Sequence, residues 1–245
     1  MLASIRLRSK VLATRLLAAV PSCCALCGCS GASVLCTPCL QRYLPPAPRC
    51  RQCAMALPAG AGTSLCGGCL RHPPAFDAAI VVTDYEAPLD QLVLNLKFGA
   101  QLALAPLFGA LLAQAMRAQP QQLWPSLLAP APLGRQRLAE RGFNQALEIG
   151  RPLARELGLA LEARLLVRWR ETAPQTLLDP ARRRANLRLA FMVPPARLEQ
   201  VRGQHVGVID DVITTGVTLN EIAATLKRAG AARVTGLAFA RTPRR

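Results

Sequence analysis

All ten cysteines of the chain lie between Cys23 and Cys69, and eight of them form four C-x-x-C pairs: Cys24/Cys27, Cys36/Cys39, Cys50/Cys53 and Cys66/Cys69. A C-x-x-C turn aims two thiolates at one point, and two such turns supply the four soft ligands of a tetrahedral zinc site. Four pairs therefore read as two Zn2+ sites, a double zinc ribbon over residues 23–75. The same spacing can serve a disulfide framework, which needs an oxidising compartment. No export signal is read in the sequence, and the repeated pair favours metal. Sequential pairing puts Cys24, Cys27, Cys36 and Cys39 in one site and Cys50, Cys53, Cys66 and Cys69 in the other. Interleaved pairing satisfies the same spacing. Cys23 and Cys29 are left over as spare thiols, with Cys23 able to replace Cys24 in register. A four-cysteine site has no open position, so both metals are structural, and a ribbon this small lacks the core to fold without them.

The rest of the 245-residue chain is different in texture. Its length suits one or two domains. Hydrophobic content of 51% excludes wholesale disorder. The formal net charge is +16, which favours anionic partners: nucleic acid, phosphorylated metabolites or an acidic membrane surface. Each four-thiolate zinc site carries a negative charge, which brings the metallated chain to about +12. The only lysines are Lys10, Lys97 and Lys227, so the positive charge is mostly arginine, a residue suited to bidentate phosphate contacts. An arginine- and alanine-rich composition is equally the mark of a GC-rich genome. No apolar run reaches transmembrane length. Residues 1–22 form a basic extension, read either as a short leading helix or as the product of an upstream start codon. Arg15 interrupts what would be a signal-peptide core, and a cytoplasmic location is expected.

Residues 40–75 are rich in proline and glycine, which is loop chemistry between metal knuckles followed by a linker. From Phe76 on, strands and helices alternate. Ala78–Val82, Leu127–Pro130, Leu165–Val167, Val206–Ile209 and Val234–Phe239 read as strands. Helices are predicted over 88–97, 102–117, 142–157 and 218–229, and the aperiodic, arginine-rich stretch 168–190 reads as a long loop. This alternation predicts an α/β domain over residues 76–245, a parallel sheet flanked by helices, with ligand loops at the carboxyl ends of its strands.

The segment from Val206 to Gly230 carries the most chemistry. A hydrophobic strand runs into Asp210 and Asp211, then comes Thr214-Thr215-Gly216-Val217-Thr218, then an amphipathic helix. Thr218 and Glu221 make a capping-box pattern for its start. A loop before a helix N-terminus offers unpaired N–H groups and a positive dipole end to a phosphate. Gly216 lets the backbone approach closely, and the threonines add hydroxyl donors. The adjacent carboxylates can accept hydrogen bonds from vicinal hydroxyls or meet a metal. Without such a use, two acids side by side on a buried strand are repulsive and costly. Together these features describe a ribose 5-phosphate.

This string resembles the signature of type I phosphoribosyltransferases that binds phosphoribosyl pyrophosphate (PRPP). Lys97-Phe98, Pro130-Ala131-Pro132-Leu133, Glu140-Arg141-Gly142-Phe143-Asn144-Gln145, Gln175, and Arg183 through Asn186 to Phe191 follow the order seen in the ComF/ComFC family. The double cysteine ribbon precedes them as in that family. The resemblance implies a type I phosphoribosyltransferase-like fold, with Asp210 and Asp211 on the ribose hydroxyls and Thr214, Thr215, Gly216, Val217 and Thr218 around the 5′-phosphate. It makes Pro130–Arg135, with Pro132 and Leu133, the pyrophosphate loop, and 168–188 a flexible lid. Catalytic roles then fall to Asp210, Asp211, Arg141 and Arg183. Two departures stand out. Pro-Ala-Pro replaces the usual Pro-Val-Pro, and the lid lacks the usual lysine, so that Arg168 or Arg183 has to take its place.

The resemblance further implies PRPP or ribose 5-phosphate as ligand, with Mg2+ on the diphosphate, and a part in natural competence, with single-stranded DNA and proteins of the competence machinery as partners. The alternative is an active transferase, in which a nitrogen nucleophile displaces pyrophosphate at ribose C1; no residue identifies its acceptor. Arg137, Glu140, Arg141 and Asn144 read as a pyrophosphate or nucleic-acid contact, against a solvated helix start. Arg182-Arg183-Arg184 reads equally as a solvated run. His72, His205, Trp124 and Trp169 read as packing or incidental.

Overall fold

A computed structural model describes residues 22–58, 60, 64–170 and 189–243. Residues 1–21, Gln175, Arg183 with its basic run, and nearly all of the predicted lid lie outside the described residues. The chain gathers into two compact units, Met1–Pro45 and Pro46–Arg245. The second cysteine cluster therefore belongs to the same compact unit as the α/β sheet, whereas composition alone draws the boundary after residue 75.

In the first unit, β1 (Ser22–Cys23) pairs antiparallel with β2 (Ser30–Gly31), and α1 (Thr37–Tyr43) starts from Cys36. The buried apolar residues described there are Cys24, Leu35 and Cys39. Two thiols and one leucine make a small core to hold a fold by burial alone.

The second unit opens with the other cluster, whose last two cysteines flank the start of α2 (Gly67–Arg71). Five parallel strands follow, in the order β3 (Ala78–Asp84), β9 (Arg233–Arg241), β8 (His205–Ile213), β4 (Leu127–Pro130) and β5 (Ala160–Leu161). The inner strands β8 and β9 are buried along almost their whole length, as expected of parallel strands covered on both faces. Around them lie α3 (Leu89–Phe98), α4 (Leu104–Arg117), α5 (Arg135–Arg141), α6 (Gln145–Leu157) and α7 (Val217–Arg228). Helix α7 buries Leu219, Ile222, Ala223 and Leu226, a stripe with helical period. It packs so closely on β9 that a Cβ at Gly236 would fall inside contact distance of Leu219. Phe108 of α4 stacks on Phe239 of β9 with centroids 3.7 Å apart.

Two expectations change. The helix read over 142–157 starts only at Gln145, as α6, and Gly142 at φ 79° divides it from the separate helix α5 before it. The strand read at Leu165–Val167 is β6 (Val167–Arg168), which pairs antiparallel with β7 (Phe191–Met192) in a ribbon apart from the main sheet. Among the described residues, no helix is long and apolar enough to cross a membrane.

Candidate functional site

The two aspartates sit within β8, which runs on to Ile213 instead of ending at them. Successive residues of a strand point to opposite faces, and the two carboxylates accordingly meet different surroundings. Asp211 is 2% exposed. Its Oδ2 lies 2.8 Å from Lys97 Nζ at the end of α3, and its Oδ1 accepts the Val212 N–H at 2.9 Å. Asp210 is half-buried, and its Oδ1 accepts the Asp211 N–H at 2.9 Å. Burial, and then the charge of Asp211, push the Asp210 carboxyl well above the usual carboxylate range, against the opposing pull of Lys97. The sequence reading gave both acids the same task, but Asp211 is occupied by an ion pair and Asp210 is the more accessible.

Arg141 closes α5 with its guanidinium 5.4 Å from the ring centroid of Phe98, which is 75% exposed, and it donates to Gln145 Oε1. Burial lowers its pKa, while the carboxylates of Asp211 and Asp210 act in the opposite sense. Arg141 thus lies in the field of both acids.

The predicted pyrophosphate loop leaves β4 beside them. Pro130 is in register with Ile209, and Ala131 N–H donates to Ile209 O at 2.8 Å. Asn144 pins this loop: its Nδ2 donates to Ala131 O at 3.0 Å while its Oδ1 accepts the Ala146 N–H and caps α6. Pro132 and Leu133 follow as half-buried residues.

After the end of β8, Thr214 and Thr215 are exposed and lead to Gly216 at φ 81°, the N-cap of α7. The capping box read from Thr218 and Glu221 does not form. The helix starts at Val217, and Glu221 Oε1 accepts the Leu189 N–H at 2.9 Å. Beneath the turn lies Arg241, 3% exposed, which donates to the carbonyls of Ile213, at 2.8 Å, and of Thr214. Lys97, marked only as part of the Lys97-Phe98 motif, and Arg241 were given no role from sequence, because their partners lie far along the chain.

In each cysteine group the four sulfurs lie within 4.8 Å of one another, and the groups follow the sequential pairing: Cys24, Cys27, Cys36 and Cys39, then Cys50, Cys53, Cys66 and Cys69. Cys27 and Cys36 Sγ are 3.6 Å apart, as are Cys53 and Cys66 Sγ. This matches the edge of about 3.8 Å of a tetrahedron with zinc–sulfur bonds near 2.3 Å. The Cys36 N–H donates to Cys24 Sγ at 3.4 Å and the Cys66 N–H to Cys50 Sγ at 3.3 Å, the outer-shell bonds that steady a metal thiolate. Burial opposes ionisation of Cys24, yet the backbone at Cys27 and Cys36 brings it down to about 6. Against burial, the Cys69 backbone and the Cys53 thiol bring Cys66 down to about 7. The donor sets fit zinc, and each cluster could hold one ion. Cys23 and Cys29 are exposed and belong to neither group.

Comparison with known proteins agrees with this architecture. The family described as phosphoribosyl transferase domain matches residues 144–245. DNA utilization protein YhgH of Salmonella typhi is 38% identical over 213 residues, covering 85% of this chain and 90% of that protein. Competence protein F of Haemophilus influenzae is 34% identical over 200 residues, covering 80% and 85%. A solved structure of the allosteric regulatory enzyme of purine biosynthesis overlaps 56% of this chain and 25% of its own, at 22% identity and a TM-score of 0.36. With a phosphoribosyl transferase domain behind two four-cysteine clusters, and relatives matched along most of their length, the chain belongs to the ComF family, that of competence protein F and DNA utilization protein YhgH.

Proposed function

We propose that the chain binds the ribose 5-phosphate part of PRPP at the open turn after β8 and acts in natural competence, handling incoming single-stranded DNA in the cytoplasm. The observation that carries the ligand reading is the exposed Thr214–Thr215 pair at a left-handed Gly216 N-cap, with the half-buried Asp210 carboxylate just upstream. The 5′-phosphate sits in the turn over residues 214–218, where backbone N–H groups and the helix end meet it. Asp210 accepts from a ribose hydroxyl, and Asp211, fixed by Lys97, adds negative charge beside the sugar. Pro132 and Leu133 line the side of the diphosphate, with Arg141 as its cation. Mg2+, when bound, neutralises the diphosphate. Zinc in both cysteine clusters is structural. The names of the relatives support the DNA role, as does the net charge of +16.

A second reading is an active transferase on a nitrogenous acceptor. Arg141 favours it, since its guanidinium, beside the exposed Phe98 ring at the end of α5, is a cation that can accompany a departing diphosphate.

Calorimetry with PRPP and Mg2+ on zinc-replete protein tests the ligand reading. Saturable binding weakened about tenfold or more in Asp210→Asn is expected, given the worth of a hydrogen bond to a charged group. Heat that is unchanged in the variant would remove the site. Single-stranded DNA affinity should fall with salt by a log–log slope near −0.7 for each phosphate neutralised, and a flat response removes the DNA role. Pyrophosphate release with any of a panel of bases and amines would decide for the transferase.

A further inference from the structure

Four backbone carbonyls, from three segments of the chain, converge on one buried guanidinium. Arg241 ends β9. Its Nε donates to Cys53 O at 3.0 Å, and its Nη1 donates to Ile213 O at 2.8 Å, to Thr214 O and to Thr242 O at 3.3 Å. Cys53 is the second thiol of the second cluster, and Thr214 opens the turn assigned to the phosphate. The cluster is also fastened to β3 at two places, one of them in register with Arg241. Ala79 N–H of β3 donates to Arg51 O at 3.3 Å, and Arg49 Nη1 donates to Asp84 Oδ1 at 2.8 Å and Ala54 O at 3.1 Å.

A guanidinium is a rigid planar fork, so its bonds on one side constrain its bonds on the other. In a trans peptide the N–H points opposite to the carbonyl. With Thr214 O turned to Arg241, the Thr215 N–H points the opposite way, on the exposed turn assigned to the phosphate. The Cys53 carbonyl holds this arrangement only while the Cys50–Cys53 knuckle is folded. A knuckle built around four thiols keeps that fold by binding metal.

We infer that Arg241 is a positioning residue that makes the shape of the 214–218 turn, and hence its affinity for a phosphate ester, conditional on the metal-loaded fold of the second cysteine cluster. This rests on the reading that the turn holds a phosphate. The first cluster lies in the other compact unit and serves as the control.

The test uses the full chain and four readouts: zinc content, hydrogen exchange at amides 215–218, calorimetry with ribose 5-phosphate, and zinc release to a chromogenic chelator. In Cys66→Ser, the turn amides should exchange faster and ribose 5-phosphate affinity should fall about tenfold or more. In Cys36→Ser both should stay within about twofold of the parent. Arg241→Lys keeps the charge, but a single ammonium cannot span the Cys53 and Thr214 carbonyls. It should retain both zinc ions and still loosen the turn. Linkage is reciprocal, so ribose 5-phosphate should slow the release of one of the two zinc ions in the parent and of neither in Arg241→Lys. A merely structural arginine would not produce that protection. Turn amides exchanging at parental rates in Cys66→Ser and Arg241→Lys, or ligand that protects neither zinc, would overturn the inference. If Cys66→Ser does not fold, Arg241→Lys decides alone. If the parent does not bind ribose 5-phosphate, the functional reading fails, and exchange at the turn alone decides the coupling.

Discussion

Lys97 Nζ lies 2.8 Å from Asp211 Oδ2, and this ion pair joins the end of α3 to the carboxyl-terminal part of β8 with the acid only 3% exposed in its side chain. A buried charge that loses its partner stays desolvated without compensation, which costs about 3–5 kcal/mol. Lys97→Met should destabilise the α/β unit by about that amount in urea at neutral pH. Adding Asp211→Asn to it should recover most of the loss, because the unpaired charge is then gone. A double variant as unstable as Lys97→Met alone would show that Lys97 acts through its packing.

Asp210 gives a pH dependence of defined sign. Burial and the neighbouring Asp211 raise its pKa in the folded chain. Above the ordinary carboxylate pKa of about 3.9 and below the raised value, the folded state therefore binds more protons than the unfolded state. Stability falls as pH rises through this window. Asp210→Asn removes the penalty. Its melting temperature should exceed the parent's at pH 8, by about 2–4 °C for each kcal/mol relieved in a chain of this size. The gain should shrink as pH falls toward about 4. The same variant should lose ribose 5-phosphate affinity, the exchange of stability for function expected at a binding site. A melting temperature at pH 8 no higher than the parent's would contradict the raised pKa.

The strands and helices that bury a periodic face could be read in the sequence, and Leu127–Pro130 is recovered residue for residue. What escaped has physical causes. Helix α5 buries no residue, so it shows no apolar stripe, and its separation from α6 rests on one left-handed glycine. Strands β5 and β7 have two residues each, too few to show a period. The Thr218–Glu221 pattern looked like a cap, but Glu221 meets Leu189 instead. The threonine–glycine turn and the cysteine groups were legible because each is local in sequence. The roles of Lys97 and Arg241 were not, because Lys97 meets an acid on β8 and the Arg241 contacts span 27 and 188 residues.

Metal content tests the cysteine assignment. Purified chain should carry two zinc ions, with Cys36→Ser and Cys66→Ser each losing one. Cys23→Ser and Cys29→Ser should lose none, since both thiols lie outside the groups. Chelation should unfold residues 22–45 outright, where the described core is Cys24, Leu35 and Cys39. A circular dichroism spectrum insensitive to chelation, or one zinc lost in Cys29→Ser, would refute the assignment.

Gly216 separates the role of backbone shape from that of side-chain space. Its φ is 81°, and an added Cβ would meet nothing nearer than Ile213 Cγ2 and Phe76 Cζ, both at 4.0 Å. A methyl group fits, so Gly216→Ala pays only the left-handed backbone penalty of about 1–2 kcal/mol. The turn can shed that strain by leaving the left-handed region. Doing so would disturb the first hydrogen bond of α7, from Asn220 N–H to Gly216 O at 2.9 Å, and the Ala75 N–H bond to Asn220 Oδ1 at 2.7 Å. Ligand affinity should thus fall further than stability, by about tenfold or more. Asparagine enters the left-handed region more readily than alanine, so Gly216→Asn should recover part of both. If Gly216→Ala loses stability but binds ribose 5-phosphate like the parent, the turn sets the start of α7 and does not hold the phosphate.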